Sequence, residues 1–289
     1  MQGKHVVITG PTSGIGEVCA LQLAKQGAQL SLLCRSVDKG QALAQRITDA
    51  GGAATTVVEL QMASLDSVRA AATRLLELGN PIDILLNNAG VVNTQRQETV
   101  DGYEETFAVN HLAPFLLTGM LLPLLEAAAP ARIVNVASDA HHFVRGMDFD
   151  DLQSEHGYKT FTVYGRSKLA NILFNRRLAQ LLDPNVITVN ALHPGAVATG
   201  IGKQNGGWMA SVIPALLRPF FRSPERGAST SLYLCESEGL NGLTGGYYVK
   251  SKLTDPKPWA CDDEAASRLW TCSEALVDFV YPQSAHPTP

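Results

Sequence analysis

The chain has 289 residues, 45% of them hydrophobic and 17% charged, enough to bury a sizeable core in one α/β domain over 1–289. A formal net charge of -4 and the lack of a basic run exclude the electrostatic footprint of a nucleic-acid binder. Cys19, Cys34, Cys235, Cys261 and Cys272 form no CxxC pair and are odd in number, so reduced thiols are expected instead of a disulfide framework.

The first strand is predicted at 5–9, with no targeting segment read ahead of it, and a cytoplasmic location is the expectation. Strands and helices then alternate. Helix 14–26 leads to strand 29–34, helix 39–50 to strand 55–59, and helix 64–78 to strand 82–87. A long helix at 102–125 holds the most apolar run, 115–125, which is too short to span a bilayer, carries Pro123 and reads as buried. Strand 131–136, helix 163–182, strand 187–192, helix 224–236, strand 246–250 and a last helix at 262–280 complete the order. Asp38, Ser64, Asp101 and Ser223 stand at N-cap positions, with Pro224 in a first turn. Several strands are short apolar runs without alternation, the pattern of parallel strands buried on both faces. One crossover per strand predicts a doubly wound parallel sheet, a Rossmann fold of about seven strands with helices on both faces. Such a sheet binds ligands beyond the carboxyl ends of its strands.

Chemistry is therefore sought in those turns. The first is Gly10-Pro11-Thr12-Ser13-Gly14-Ile15-Gly16, whose glycines permit positive φ and close backbone approach while the following helix offers free amides. Its Gly-x3-Gly-x-Gly spacing differs from the strict dinucleotide fingerprint. Its place after strand one favours a pyrophosphate cradle over an ordinary tight turn. At the end of the second strand Cys34 occupies the position where an acid usually meets a ribose hydroxyl. Arg35 follows, which suits a 2′-phosphate and favours NADP(H) over NAD; the competing reading is a solvated surface arginine. Tyr164 and Lys168 lie one helical turn apart, and an ammonium beside a phenol stabilises phenolate and lowers the phenol pKa. With Asn87-Asn88-Ala89-Gly90 and Ser138 between them, these motifs read as a nicotinamide-dependent oxidoreductase.

On Thr9-Gly10-x3-Gly14-Ile15-Gly16, Asn87-Asn88-Ala89-Gly90, Asn110, Ser138, Tyr164-x3-Lys168 and Pro194-Gly195, the chain resembles the short-chain dehydrogenase/reductase family over nearly its whole length. Val109-Asn110-His111-Leu112, Ala137-Ser138-Asp139-Ala140-His141 and Ser167-Lys168-Leu169-Ala170-Asn171 are similar to its retinol-dehydrogenase-like branch. The resemblance implies that Tyr164 exchanges a proton with the substrate oxygen and that Lys168 lowers the tyrosine pKa and holds the nicotinamide ribose. Ser138 would bond the substrate oxygen, and Asn110 would hold a water linking Lys168 to solvent. It implies cofactor contacts from Gly10, Thr12, Ser13, Gly14, Ile15, Gly16, Arg35, Tyr164 and Lys168. Asn87, Ala89 and Gly90 would form the floor beneath the cofactor, and Pro194, Gly195, Val197 and Thr199 would cover the carboxamide. Two departures stand out: Pro11-Thr12 replaces the usual Ala-Asn, and Gln61 replaces an aspartate reaching the adenine amine, so that bond would be accepted without charge.

The segment 200–223 carries Trp208, Met209, Ile213, Leu216, Leu217, Phe220 and Phe221 and is expected to cover a hydrophobic carbonyl or alcohol substrate; contact with a partner subunit or a membrane surface competes. No metal is expected, because His141, His142 and the acids of 148–151 read as loop residues, and His111 and His193 as packing residues. The expected activity is NADP(H)-dependent carbonyl reduction or alcohol oxidation. The alternatives are a redox-sensing cofactor-binding regulator without turnover, or a double-bond reductase of the same family. Apolar residues on more than one side of helix 163–182 raise a homodimer.

Overall fold

A computed structural model describes residues 1–195 and 223–282 of the chain. Its strands are His5–Thr9 (β1), Gln29–Cys34 (β2), Thr56–Glu59 (β3), Ile84–Asn87 (β4), Ala131–Val136 (β5), Ile187–His193 (β6), Tyr247–Val249 (β7) and Lys252–Leu253 (β8). All join one sheet in the order β3-β2-β1-β4-β5-β6-β7-β8, parallel except for the antiparallel β7–β8 pair. The eighth strand was not expected. It forms because Lys250 and Ser251 take left-handed backbone conformations (φ 52° and 60°) and fold the chain back on β7.

The helices are Gly14–Lys25 (α1), Val37–Asp49 (α2), Leu65–Leu78 (α3), Glu105–Ala127 (α4), Thr160–Leu181 (α5), Pro224–Glu236 (α6) and Asp263–Val277 (α7). Alternate residues of each central strand feed different cores. Val7 and Leu85 pack with α3, α4, α5 and α7, while Val6, Ile8, Ile84 and Leu86 pack with α1, α2 and α6. That double burial explains the continuous apolar runs.

Two capping expectations are corrected. Ser36, not Asp38, caps α2 by accepting from Lys39 N at 3.4 Å. Asp101 does not cap the long helix; its carboxylate accepts from Leu65 N at 2.9 Å and so satisfies the start of α3, beside the expected cap Ser64. The long helix is capped instead by Glu104, fully buried, which accepts from Thr106 N at 2.9 Å and Phe107 N at 2.6 Å. That helix is long and apolar enough to cross a membrane, yet 89% of its most apolar window is buried inside the protein.

The surplus apolar surface of α5 has a partner within the chain. Leu169, Leu173 and Leu178 are fully buried, and α7 lies along this helix, with Phe174 stacked on Trp270 at 5.9 Å and Arg176 paired to Asp263 at 2.7 Å. Part of the surface that raised a homodimer, at Leu169, Leu173 and Leu178, is thus buried within the chain, while Leu181 stays partly exposed. All five cysteines are free thiols.

Candidate active site

The sheet order reverses direction between β1 and β4, so their carboxyl ends open a crevice, and the glycine turn fills its mouth. Gly10 takes φ +64°, and a Cβ there would sit 3.1 Å from Ala89 Cα. At Gly16 a Cβ would sit 2.3 Å from the Gly10 carbonyl oxygen and 2.5 Å from Asn88 Nδ2. The turn is therefore pulled tight across the β4 loop. Ser13 is the N-cap of α1 but makes no side-chain cap bond, so the first amides of Gly14, Ile15 and Gly16 are not consumed by their own cap. Thr12 is half-buried and Ser13 exposed at this rim. A pyrophosphate fits the free amides at the start of α1, and Gly16 lets that start lie close against Gly10 and Asn88, where a side chain would clash.

Asn88, which the sequence reading passed over, holds the cradle shut. Its amide donates to Thr9 O at 2.9 Å and Gly10 O at 3.2 Å, and Thr9 Oγ1 accepts from both Asn88 N and Ala89 N at 3.0 Å. Asn87 was expected in the cofactor floor and its side chain is not there. It turns into the core, donating to Thr118 Oγ1 at 3.0 Å and Asn135 Oδ1 at 2.9 Å. Ala89 lies against Gly10, and a Cβ on Gly90 would lie 3.1 Å from Asn110 Oδ1 and 3.4 Å from Lys168 Nζ.

At the end of β2, Cys34 is buried with its thiol donating to Ser36 O at 3.3 Å, and burial raises the thiol pKa. Arg35 beside it is exposed. Gln61 is held by its backbone, its N–H donating to Ser67 Oγ at 2.9 Å. Pro194 and Gly195 (φ +88°) follow β6 at the same edge. Val197 and Thr199 lie outside the described residues, as does the expected substrate-covering segment up to residue 222.

Three elements bring the candidate catalytic side chains together. Ser138 follows β5 and caps the short turn Asp139–Phe143, its Oγ accepting from Ala140 N at 3.1 Å. Tyr164 and Lys168 lie on α5, and Lys168 Nζ donates to Val136 O at 2.9 Å and stands 5.7 Å from the centre of the Tyr164 ring. Asn110 sits in the middle of a π-helical turn, Ala108–Leu112, within α4. Its amide donates to Val91 O and Ser167 Oγ, both at 2.9 Å, and its Oδ1 accepts from Val91 N at 2.8 Å. Both amide hydrogens are thus engaged by the chain, and the side chain keeps only acceptor capacity for a water.

The electrostatics modify one expectation. Burial pushes the Tyr164 phenol up to about 12, with the Ser138 hydroxyl pulling the other way, and burial pushes the Lys168 ammonium down to about 8. Proximity to lysine does not by itself depress the phenol here; removal of both groups from water outweighs it. At neutral pH the tyrosine holds its proton, and burial works against the charge on the lysine.

The surroundings are built to hold these groups still. Glu104, six residues before Asn110, receives a hydrogen bond from the hydroxyl of Tyr158, six residues before Tyr164, at 3.3 Å. The starts of α4 and α5 are tied through this buried carboxylate, whose pKa burial raises. Asp139 accepts from Tyr247 OH at 2.9 Å, and its N–H donates to His193 Nδ1 at 3.2 Å. Asp139, His141 and His142 lie close enough to share an ion. His141, however, already uses Nδ1 on Ser138 O at 2.8 Å and accepts from Lys257 N at 3.3 Å, so it serves to brace the Ser138 turn. His111 is fully buried and neutral, bonded to Ser273 Oγ at 2.8 Å, a packing residue as expected.

Known proteins are similar to this chain along most of its length. Residues 4–210 match the family model of the short chain dehydrogenases. Retinol dehydrogenase 14 of Mus musculus is 42% identical over 296 residues, covering 96% of this chain and 86% of that protein. Retinol dehydrogenase 13 of Homo sapiens is 41% identical, covering 97% and 86%. Among solved structures, a protein from Mycobacterium Paratuberculosis is 30% identical with a TM-score of 0.77, over 97% of this chain and 96% of that one. The Pseudomonas aeruginosa RhlG/NADP active-site complex is 26% identical with a TM-score of 0.67, over 86% and 94%. This chain belongs to the short-chain dehydrogenase/reductase family of NAD(P)-dependent oxidoreductases.

Proposed function

We propose that the protein is an NADP(H)-dependent oxidoreductase that interconverts a hydrophobic carbonyl compound and its alcohol. The observation that carries this reading is the convergence of Tyr164, Lys168, Ser138 and Asn110 at the mouth of the crevice that Gly10 and Gly16 open. The names of the relatives, retinol dehydrogenases, support an apolar alcohol or carbonyl substrate. The exposed Arg35 next to Cys34, with no acid at the strand end, supports the 2′-phosphate of NADP(H).

When bound, the nicotinamide supplies or accepts a hydride. Gly14, Ile15 and Gly16 would present amides to the pyrophosphate, and Arg35 its guanidinium to the 2′-phosphate. Ser138 donates a hydrogen bond to the substrate oxygen and orients it toward Tyr164. Because Tyr164 is protonated at neutral pH, it is ready to donate to the oxygen of a carbonyl in the reducing direction. In the oxidising direction it must first lose that proton, and the charge on Lys168 offsets part of the cost of a buried phenolate. Asn110 braces Gly90 and the Lys168 region through Val91 and Ser167.

The test is NADPH-dependent reduction of an aromatic aldehyde by the wild-type protein and by Tyr164→Phe. Removing the hydroxyl should lower turnover by about 100-fold or more while NADPH affinity, read by its fluorescence, stays the same. A folded Tyr164→Phe protein that turns over normally would refute the assignment.

A further inference from the structure

Among the described residues, the large hydrophobic side chains left in solvent include only two aromatics, Phe143 at 60% and Phe161 at 70% exposure. They touch each other, with ring centres 5.7 Å apart and planes at 72°. An edge-to-face pair is a favourable arrangement, but two rings this exposed forgo most of the burial that normally keeps phenylalanine in a fold.

Their position relates them to the reacting groups. Phe143 ends the turn that Ser138 caps. Phe161 lies in the first turn of α5, three residues before Tyr164 and seven before Lys168, which puts the three on one face of the helix. Gly165 sets the spacing. A Cβ there would lie 2.8 Å from Ala140 O and 3.4 Å from Phe143 Cβ, so the absence of a side chain lets the Ser138 turn lie directly against α5 and brings Phe143 to Phe161. The two rings are therefore carried by the same turn and the same helix that carry Ser138 and Tyr164.

We propose that Phe143 and Phe161 form an aromatic wall at the entrance to the Ser138–Tyr164 site. The wall selects carbonyl substrates that carry an extended apolar or conjugated tail over small aldehydes. The tail lies against the exposed ring faces while the carbonyl oxygen reaches Ser138 and Tyr164. This deepens the function proposed above and rests on it.

The experiment compares NADPH-dependent reduction of trans-cinnamaldehyde and of propanal by wild type, Phe143→Ala, Phe161→Ala and the double variant. Loss of each ring should lower kcat/KM for trans-cinnamaldehyde roughly three- to tenfold, through KM. The values for propanal and the affinity for NADPH should not change. Phe143→Leu and Phe161→Leu, which keep apolar bulk and lose the ring, carry the same test if an alanine variant unfolds. An unchanged preference between the two aldehydes, or an equal loss for both, would overturn the wall while leaving the proposed oxidoreductase standing. Wild-type protein that reduces neither aldehyde would overturn both.

Discussion

Replacing Gly16 by alanine sets two opposed effects against each other. Gly16 lies in the first turn of α1, and in a helix alanine is better than glycine by about 1 kcal/mol, so propensity alone forecasts a more stable protein. The added Cβ, however, would stand 2.3 Å from the Gly10 carbonyl oxygen and 2.5 Å from Asn88 Nδ2. Neither neighbour is a flexible tip, since one is backbone and the other is pinned to Thr9 O and Gly10 O. Relieving the overlap takes a shift of about an ångström, and overpacking of this kind costs about 1–3 kcal/mol. The same shift breaks at least one Asn88 bond, for about 1 kcal/mol more. The clash therefore wins, for a net loss of about 1–3 kcal/mol, or a drop in Tm of roughly 2–6 °C in a chain of this size. Thermal unfolding with and without NADPH is the assay, and NADPH affinity should fall at least about tenfold because the turn that would receive the pyrophosphate has moved. Gly146→Ala is the control, since a Cβ there meets nothing within 4 Å and should change stability by no more than about 0.5 kcal/mol. If Gly16→Ala melts with the wild type and binds NADPH as tightly, the close approach of the turn to the β4 loop is wrong.

Three other perturbations have defined outcomes. Burial lowers Lys168 from its ordinary 10.5 to about 8, so between those values the unfolded chain holds a proton that the folded chain has shed, and stability gains from this group as pH rises. Lys168→Met should remove that gain, at most about 3 kcal/mol, from urea unfolding followed across the window; parallel pH profiles for the two proteins would count against the burial argument. Burial raises Glu104 above its ordinary 4.5, which costs the wild type stability as pH climbs past that value, so Glu104→Gln should gain on the wild type as pH rises above 4.5 in the same measurement. Arg35→Ala should weaken NADPH roughly tenfold or more, the worth of one charge-assisted phosphate contact, and leave NADH nearly untouched in parallel titrations. Equal weakening of both cofactors would assign Arg35 to the solvent.

Much of this architecture was legible because its signals are local. The glycine turn announces itself where an apolar strand runs into an apolar helix, and Tyr164 and Lys168 share a helix face by spacing alone. What escaped depends on contacts distant in sequence. Asn87 and Asn88 are chemically identical, and only the twist of the chain at the end of β4 sends one amide to Asn135 and the other to Gly10. Asp101 looked like the natural cap of the long helix, whereas Glu104 takes that place with Tyr158 OH donating to its carboxylate at 3.3 Å and Gln153 Oε1 accepting from its backbone N–H at 2.8 Å. The π-turn around Asn110 leaves no trace in a hydrophobic pattern that any helix would satisfy. Four-residue spacing gave the nearness of Tyr164 and Lys168 but not the dryness that sets their pKa values. Phe143 and Phe161, eighteen positions apart in number, read as two ordinary apolar residues until Gly165 brings them together.

The packing of α7 has a consequence for how the protein is made. Tyr281 donates to Phe115 O at 2.6 Å, Tyr103 OH donates to Leu276 O at 2.6 Å, and Trp270 lies edge-on to Phe115 at 5.0 Å. The residues of α7 and just after it are thus joined to partners more than 150 positions upstream, up to 173 for Leu276 and Tyr103. During vectorial synthesis, the face of α5 that meets α7 stays bare until codon 277 has been read and its residue has cleared the ribosome. For that interval the nascent chain presents a ready surface for chaperones, and a message truncated before codon 262 would yield a polypeptide with a glycine cradle, a complete Ser–Tyr–Lys set and no α7.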